Sequence, residues 1–317
     1  MNSPKKYLII DKHQRIQLKT EHTYAVRRLF EEISEAGNTA DFAYYDQLEI
    51  IYSDSSIQVK ANNVDVSQYD FIVFRGHRLD NDRRYQIRRM LIDYIDLSNS
   101  AAAQKTHVQN SESIKLLPYY NKIYLATFCA QNNLPYFKTY FRLDGDYENH
   151  QGPIANFPMI AKEYAGANDL HQIDGKLKVK KNVFKIDSPK EFNQKHLKDQ
   201  DLANFFIQEF SPAGEDFRIF IANGKVVGGW KRESNNSFMT VRKGIYSGYN
   251  QPDDDMAKLA MKTSTALEAN FIAVDIMRKA DGKPYIQEIS LNPGFKAYET
   301  KISGNNVNLA EIIVNSF

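Results

Sequence analysis

Two apolar runs near the carboxyl end, 271–277 and 285–291, flank Asp281-Gly282, and this pattern constrains the fold more than any other. Apolar runs on both sides of an Asp-Gly pair are a strong short-range hairpin signal. With a two-residue turn, residues equidistant from it stand opposite one another, which places Asp275 directly across from Glu288. Their Cβ atoms would then lie about 5 Å apart on one face, where like charges destabilise a sheet unless something neutralises them. Magnesium fits that task, since it takes carboxylate oxygens and completes its shell with water and nucleotide phosphates. Ser290 shares the face, and Asn292 joins it if the strand runs on toward Pro293. The plainer alternative is a solvated face with each acid beside a basic side chain.

At 317 residues the chain is long enough for two or three units with cores of their own. Hydrophobic residues at 42% and charged residues at 25% are ordinary for a soluble globular protein. No run reaches the roughly 18 apolar residues a membrane helix requires, and the first eleven residues are too short a signal peptide. Cys129 is the single cysteine, which rules out an internal disulfide and a cysteine-based metal site. A net charge of +2 from 41 basic and 39 acidic residues argues against a dedicated nucleic-acid surface. A cytoplasmic protein with neither nucleic-acid nor membrane partners is expected, and a homo-oligomer is left open.

The first third alternates strand and helix. A buried strand is expected at 7–10, a helix at 21–36 capped by Gly37, two short strands about Asp54-Ser55, an apolar strand at 71–74 and a helix at 83–98. This order suggests an open, parallel-type sheet. A further helix at 121–132 ends before Pro135. Beyond it the texture becomes strand-rich, with hairpin turns at Asp174-Gly175, Asn223-Gly224 and Asp281-Gly282, and helices at 189–197, 253–270 and 307–315. The expected division is an amino-terminal α/β unit at 1–117 and two α+β lobes at 118–207 and 208–317.

Val274-Asp275 followed by Glu288-Ile-Ser290-Leu-Asn292-Pro293-Gly294 resembles the metal-binding end of ATP-grasp enzymes, among them RimK-type amino-acid ligases and glutathione synthetase. The resemblance runs in order over about residues 110–299. It implies an ATP-grasp fold, an amino-terminal open α/β domain ahead of two lobes that sandwich a nucleotide, with ATP and Mg2+ as cofactors. Asp275 and Glu288 would be metal ligands. Where the family usually has an Asn ligand this chain has Ser290, with Asn292 two positions later, so either could complete the shell. Lys122 and Lys162 resemble the two ATP lysines; each is a flexible point charge suited to phosphate oxygens. Gly166 lies where relatives carry a phosphate-covering loop, and Gln208-Glu209-Phe210 resembles the segment that meets adenine. The lysine-dense stretch Lys176, Lys178, Lys180 and Lys181 reads as solvated surface, with a cover over the triphosphate as the alternative. Arg218, and either Arg232 or Lys231, would stabilise the reacting acyl phosphate. Ideal pairing about Asn223-Gly224 turns Lys231 to the face of Arg218, the family match favours Arg232, and a bulge at Gly228-Gly229 would exchange them.

One basic cluster stands apart from these motifs. Arg75 and Arg78 follow the 71–74 strand, and Arg84 and Arg88 share a helix face at i,i+4 spacing. Strand ends of open sheets are where ligands bind, so this cluster would hold an acidic substrate; ordinary surface charge is the alternative. The expected activity is ATP-dependent joining of a carboxylate to an amine through an acyl phosphate, with small-molecule or peptide substrates, one of them acidic. A phosphotransferase acting on another acceptor, and a nucleotide-binding protein that has lost catalysis, are the competing readings.

Overall fold

The computed structural model describes residues 3–11, 22–76, 81–117, 122–154, 156–163, 169–173, 176–180, 183–194, 197–198, 200–212, 214–233, 245–302 and 307–317. The amino-terminal part contains β1 (Lys6–Asp11), α1 (Tyr24–Glu35), β2 (Thr39–Tyr44), the antiparallel β3 (Leu48–Ser53), β4 (Ser56–Ala61) and β5 (Val64–Asp65), then β6 (Phe71–Phe74), α2 (Asn81–Ala101), β7 (His107–Val108) and α3 (Ser111–Leu116). Strands β2, β1, β6 and β7 form a parallel sheet in that order. Leu8, Ile9, Ile10, Ile72, Val73 and Phe74 are all buried, which explains why β1 and β6 read as continuous apolar runs. Thr23 caps α1 by accepting the Val26 N–H at 3.4 Å, and Gly37, with φ +73°, ends it as expected.

The middle of the chain adds α4 (Lys122–Gln131), β8 (Thr139–Phe141), β9 (Met159–Glu163), the hairpin β10 (Asp169–Ile173) and β11 (Lys176–Lys180), β12 (Val183–Ile186) and β13 (Phe205–Glu209). Strands β12, β9, β13 and β8 make an antiparallel sheet over a core of Tyr147, Ile154, Met159, Phe192 and Ile207. The helix expected at 189–197 is only a 3-10 stretch at Pro189–Asn193. That short element buries Phe192 against the sheet and then leaves the helical path at Gln194, which is extended.

The last part holds β14 (Glu215–Ala222), β15 (Lys225–Glu233), β16 (Ile245–Gly248), α5 (Asp254–Ala266), β17 (Phe271–Arg278), β18 (Pro284–Ser290), α6 (Lys296–Lys301) and α7 (Leu309–Val314). Its five strands are antiparallel in the order β16-β15-β14-β17-β18. One face packs Phe217, Ile219, Ile221, Ile272, Val274 and Ile276 against Met256, Leu259 and Ala260 of α5. The other face changes character along its length. Phe220, Ala222, Phe271 and Ala273 join Tyr7, Ile9 and the carboxyl-terminal helices in a second core, while Asp216, Arg218, Asp275 and Glu288 occupy the other end.

Two bulges decide what that charged end displays. The β17–β18 turn is not the expected two-residue one: Lys279 N–H donates to Lys283 O at 3.0 Å, and only Gly282 has positive φ, +78°. This is a three-residue loop, which shifts the pairing by one so that Ile276 faces Ile286. A bulge then takes up Gln287, and Asp275 does pair with Glu288. Asn223 and Gly224, with φ of +46° and +73°, form the expected two-residue turn of β14–β15. Here a bulge takes up Val227, after which Arg218 pairs with Trp230 and Asp216 with Arg232. Arg232 therefore shares the face of Arg218, and Lys231, opposite Phe217, points to the other side.

The glycine pair holds this register. A Cβ on Gly229 would meet Tyr249 O at 2.7 Å and Arg218 O at 2.8 Å, both backbone atoms that cannot swing away. Gly229→Ala is expected to cost about 1–3 kcal/mol or more, read as a lowered urea midpoint. An unchanged midpoint would mean the two strands tolerate wider spacing here than their pairing implies.

Candidate active site

The charged half of the face is a ladder of alternating sign across four strands. Arg232 Nε donates to Asp216 Oδ1 at 2.9 Å and its Nη2 to Oδ2. Arg218 makes a matching fork to Asp275, Nε to Oδ1 and Nη2 to Oδ2, both at 2.6 Å. Lys122, the first residue of α4, places Nζ 3.3 Å from Glu288 Oε2. So the two opposed carboxylates are compensated from either side, one by a guanidinium and one by a lysine. Burial pushes the Asp216 carboxyl above its ordinary range, and the Arg232 fork offsets this only in part. Burial opposes the charge on Arg218, but the adjoining Asp275 carboxylate more than restores it, raising its pKa. Trp230 covers the Arg218 guanidinium at 5.4 Å from the ring centroid. Lys231 belongs elsewhere, pairing with Glu215 at 2.7 Å and Glu233 at 2.5 Å.

Ser290 follows Glu288 by two positions on the same face and is buried. Among the described residues its hydroxyl makes no hydrogen bond. Asn292 is committed differently. In the amide orientation that satisfies both ends, its oxygen accepts from Arg88 Nη1 at 3.1 Å and its nitrogen donates to Leu291 O at 2.7 Å. Asp275, Glu288 and Ser290 thus present hard oxygen donors side by side, the set magnesium prefers.

On the neighbouring sheet, Lys162 of β9 extends across to β13, donating to Gln208 Oε1 at 2.9 Å, and Gln208 donates onward to Thr139 Oγ1 at 3.0 Å. Phe206 and Phe141 lie on the same face with ring centroids 5.1 Å apart. Glu209 accepts from the Lys138 N–H at 2.6 Å and pairs with Lys279, while the Phe210 ring carries Lys185 Nζ 5.4 Å from its centroid. Gly166, Lys181, Arg78 and residues 234–244 lie outside the described residues, as do the side chains of Lys176, Lys178, Lys180 and Arg84. Burial raises the Cys129 thiol pKa to about 12, so it supplies no thiolate nucleophile.

Arg75 and Arg88 are almost wholly buried, at 4% and 7% exposure. Arg75 Nη2 donates to Pro293 O at 2.8 Å, and its guanidinium lies 5.3 Å from the Phe295 ring centroid. Arg75 Nε and Nη1 and Arg88 Nε are buried with no hydrogen-bond partner among the described residues. Such orphans are rare because each forfeits its hydration without return. Sequence reasoning assigned no role to three contributors, although Asp216 stands in the Asp-x-Arg pattern that resembles RimK-type ligases. Asp216 and Trp230 emerge only once the Val227 bulge sets the register, and Asn110 acts on strands more than 150 residues away. Arg88 offered a local signal: it sits on the buried α2 stripe with Tyr85, Ile92 and Ile95.

The RimK-like ATP-grasp domain profile matches residues 130–316. The chain is 22% identical over 253 residues to the alpha-aminoadipate–LysW ligase LysX of Saccharolobus solfataricus, covering 77% of this chain and 87% of that protein. It is 28% identical over 109 residues to a probable alpha-L-glutamate ligase of Aliivibrio fischeri, covering 33% and 36% of the two chains. Among solved structures it is similar to the ATP-grasp ligase PsnB complexed with minimal precursor, Mg and ADP, with TM-score 0.66 and 14% identity over 98% of this chain and 96% of that one. The D-cycloserine synthetase DcsG has TM-score 0.63 at 15% identity over 98% of both chains. The chain belongs to the RimK-like ATP-grasp family. It is an ATP-dependent carboxylate–amine ligase.

Proposed function

We propose that this ligase joins an acidic amino acid or acidic peptide to its partner substrate, using ATP bound between the β9–β13 sheet and the β14–β18 face. Lys122 and Lys162 hold phosphate oxygens, and the apolar Phe206 side with the Gln208–Phe210 segment receives the base. Asp275, Glu288 and Ser290 hold magnesium, which neutralises phosphate charge when bound. Asn292 is left out of that shell because its amide oxygen serves Arg88.

A carboxylate is a poor electrophile until one oxygen becomes a leaving group. Its oxygen attacks the γ-phosphorus of ATP, the bond to the bridging oxygen breaks, and ADP departs. The amine nitrogen then attacks the acyl carbon, the C–O bond to phosphate breaks, and the nitrogen gives up a proton. Arg218 and Arg232, fixed by Asp275 and Asp216, hold positive charge where the acyl phosphate and the tetrahedral oxyanion develop. No side-chain nucleophile is needed.

The single observation that carries the acidic substrate is the set of buried guanidinium nitrogens on Arg75 and Arg88 that have no hydrogen-bond partner among the described residues. Arg75 lies where β6 ends, at the carboxyl edge of a parallel sheet, a usual ligand position. A carboxylate would accept a charge-assisted hydrogen bond from Arg75 Nε or from Nη1, which lie on different edges of the guanidinium. The names of the relatives, an alpha-aminoadipate ligase and a probable alpha-L-glutamate ligase, agree with this class. At saturating magnesium, Arg75→Lys is expected to raise KM for the acidic substrate about tenfold, roughly 1.4 kcal/mol, with KM for ATP little changed. Activity confined to neutral or basic substrates, or unaltered kinetics in Arg75→Lys, would refute the assignment.

A further inference from the structure

Three side chains from separate places in the amino-terminal third converge on three consecutive residues just after β18. Asn110, which precedes α3, donates from Nδ2 to Leu291 O at 2.7 Å. With the Asn292 amide in the orientation that satisfies both its ends, Arg88 of α2 donates to its side-chain oxygen at 3.1 Å. Arg75, next after β6, donates to Pro293 O at 2.8 Å. Residues 291–293 begin immediately beyond Ser290 and three beyond Glu288, so their placement sets where those two oxygens point.

Asn110 is the centre of this arrangement. It is fully buried and adopts a left-handed backbone, φ +56°, which Asn tolerates better than most residues. Its second Nδ2 hydrogen goes to Phe271 O at 2.7 Å, and its Oδ1 accepts from the N–H groups of Asn270 and Phe271 at 2.9 and 3.1 Å. Its own N–H donates to Asn270 Oδ1 at 2.8 Å. One amide therefore ties the start of β17 to the exit of β18, the two strands that carry Asp275 and Glu288.

We infer that Asn110, Arg88 and Arg75 are positioning residues for the metal strand, holding Glu288 and Ser290 in place through residues 291–293. None of the three is a metal donor. The inference rests on the proposed magnesium site and adds the residues that hold it to shape. Supporting partners of ligand side chains elsewhere change metal affinity by about 10–100-fold when removed.

The test is Mn2+ titration of the purified protein with ADP, read by electron paramagnetic resonance, alongside ADP affinity without metal and the urea midpoint. Asn110→Ala is expected to weaken Mn2+ binding about tenfold or more, leaving metal-free ADP binding unchanged. Should Asn110→Ala fail to fold, Arg88→Met carries the same test with a built-in sign. Removing a cation near the site would by electrostatics alone tighten Mn2+ binding, whereas losing the anchor weakens it. Wild type without an ADP-dependent Mn2+ site, or Glu288→Gln with an unaltered one, would overturn the metal assignment and the inference together. If wild type binds Mn2+ and Glu288→Gln loses it, yet Arg88→Met binds as tightly or more tightly, the positioning role alone falls. Asn110→Ala that loses stability while keeping its Mn2+ affinity would likewise reduce Asn110 to a structural staple.

Discussion

Glu288→Gln is expected to lower magnesium-dependent turnover about a hundredfold or more, because removal of merely supporting groups already costs 10–100-fold. The fold should survive. Glu288 is 28% exposed at its side chain, and a glutamine oxygen can still accept from Lys122, now 3.3 Å away. Its partner carboxylate differs. Asp275 is 15% exposed and holds both forks of Arg218, itself 19% exposed. Asp275→Asn leaves a part-buried guanidinium with half its acceptor, so about 2–3 kcal/mol of stability should go as well. The paired mutants thus predict the same catalytic loss and unequal urea midpoints. Wild-type rates in both would remove these carboxylates from the reaction.

Arg218→Lys should depress kcat about 10²–10³-fold, the usual cost of removing one charge-stabilising donor from a developing oxyanion. The lysine keeps the charge, so the loss isolates geometry: one ammonium cannot reproduce the planar fork to Asp275 and also face the reacting carboxyl group. KM for ATP should change little, since Lys122 and Lys162 are untouched. Equal falls in kcat and in ATP affinity would place Arg218 at the nucleotide instead of at the acyl transfer.

How far the sequence reached can be judged residue by residue. The Asp275–Glu288 opposition was expected from a two-residue turn, yet it arises from a three-residue loop and a bulge at Gln287 whose shifts cancel. Turn length and bulge each depend on local backbone angles that residue types restrict only loosely. The choice between Lys231 and Arg232 stayed open for the same reason, and the Val227 bulge settles their facing. Parallel strands β1 and β6 were legible because burial on both faces leaves an unbroken apolar run. The segment 189–197 misled because a Pro start and a few apolar residues suit a 3-10 turn as well as a helix. The anchors at Asn110, Arg88 and Arg75 have partners about 160 to 218 residues away, a distance over which no pattern in a single sequence carries pairing information. None of the described helices is long and apolar enough to cross a membrane.

The most direct measurement follows ADP, phosphate and amide together when the purified protein meets ATP, magnesium and a panel of amino acids and short acidic peptides. The account predicts ADP and phosphate released in equal amounts with amide, and only when both a carboxylate and an amine are present. A stable phosphorylated product, or ATP bound without turnover across the panel, would contradict it.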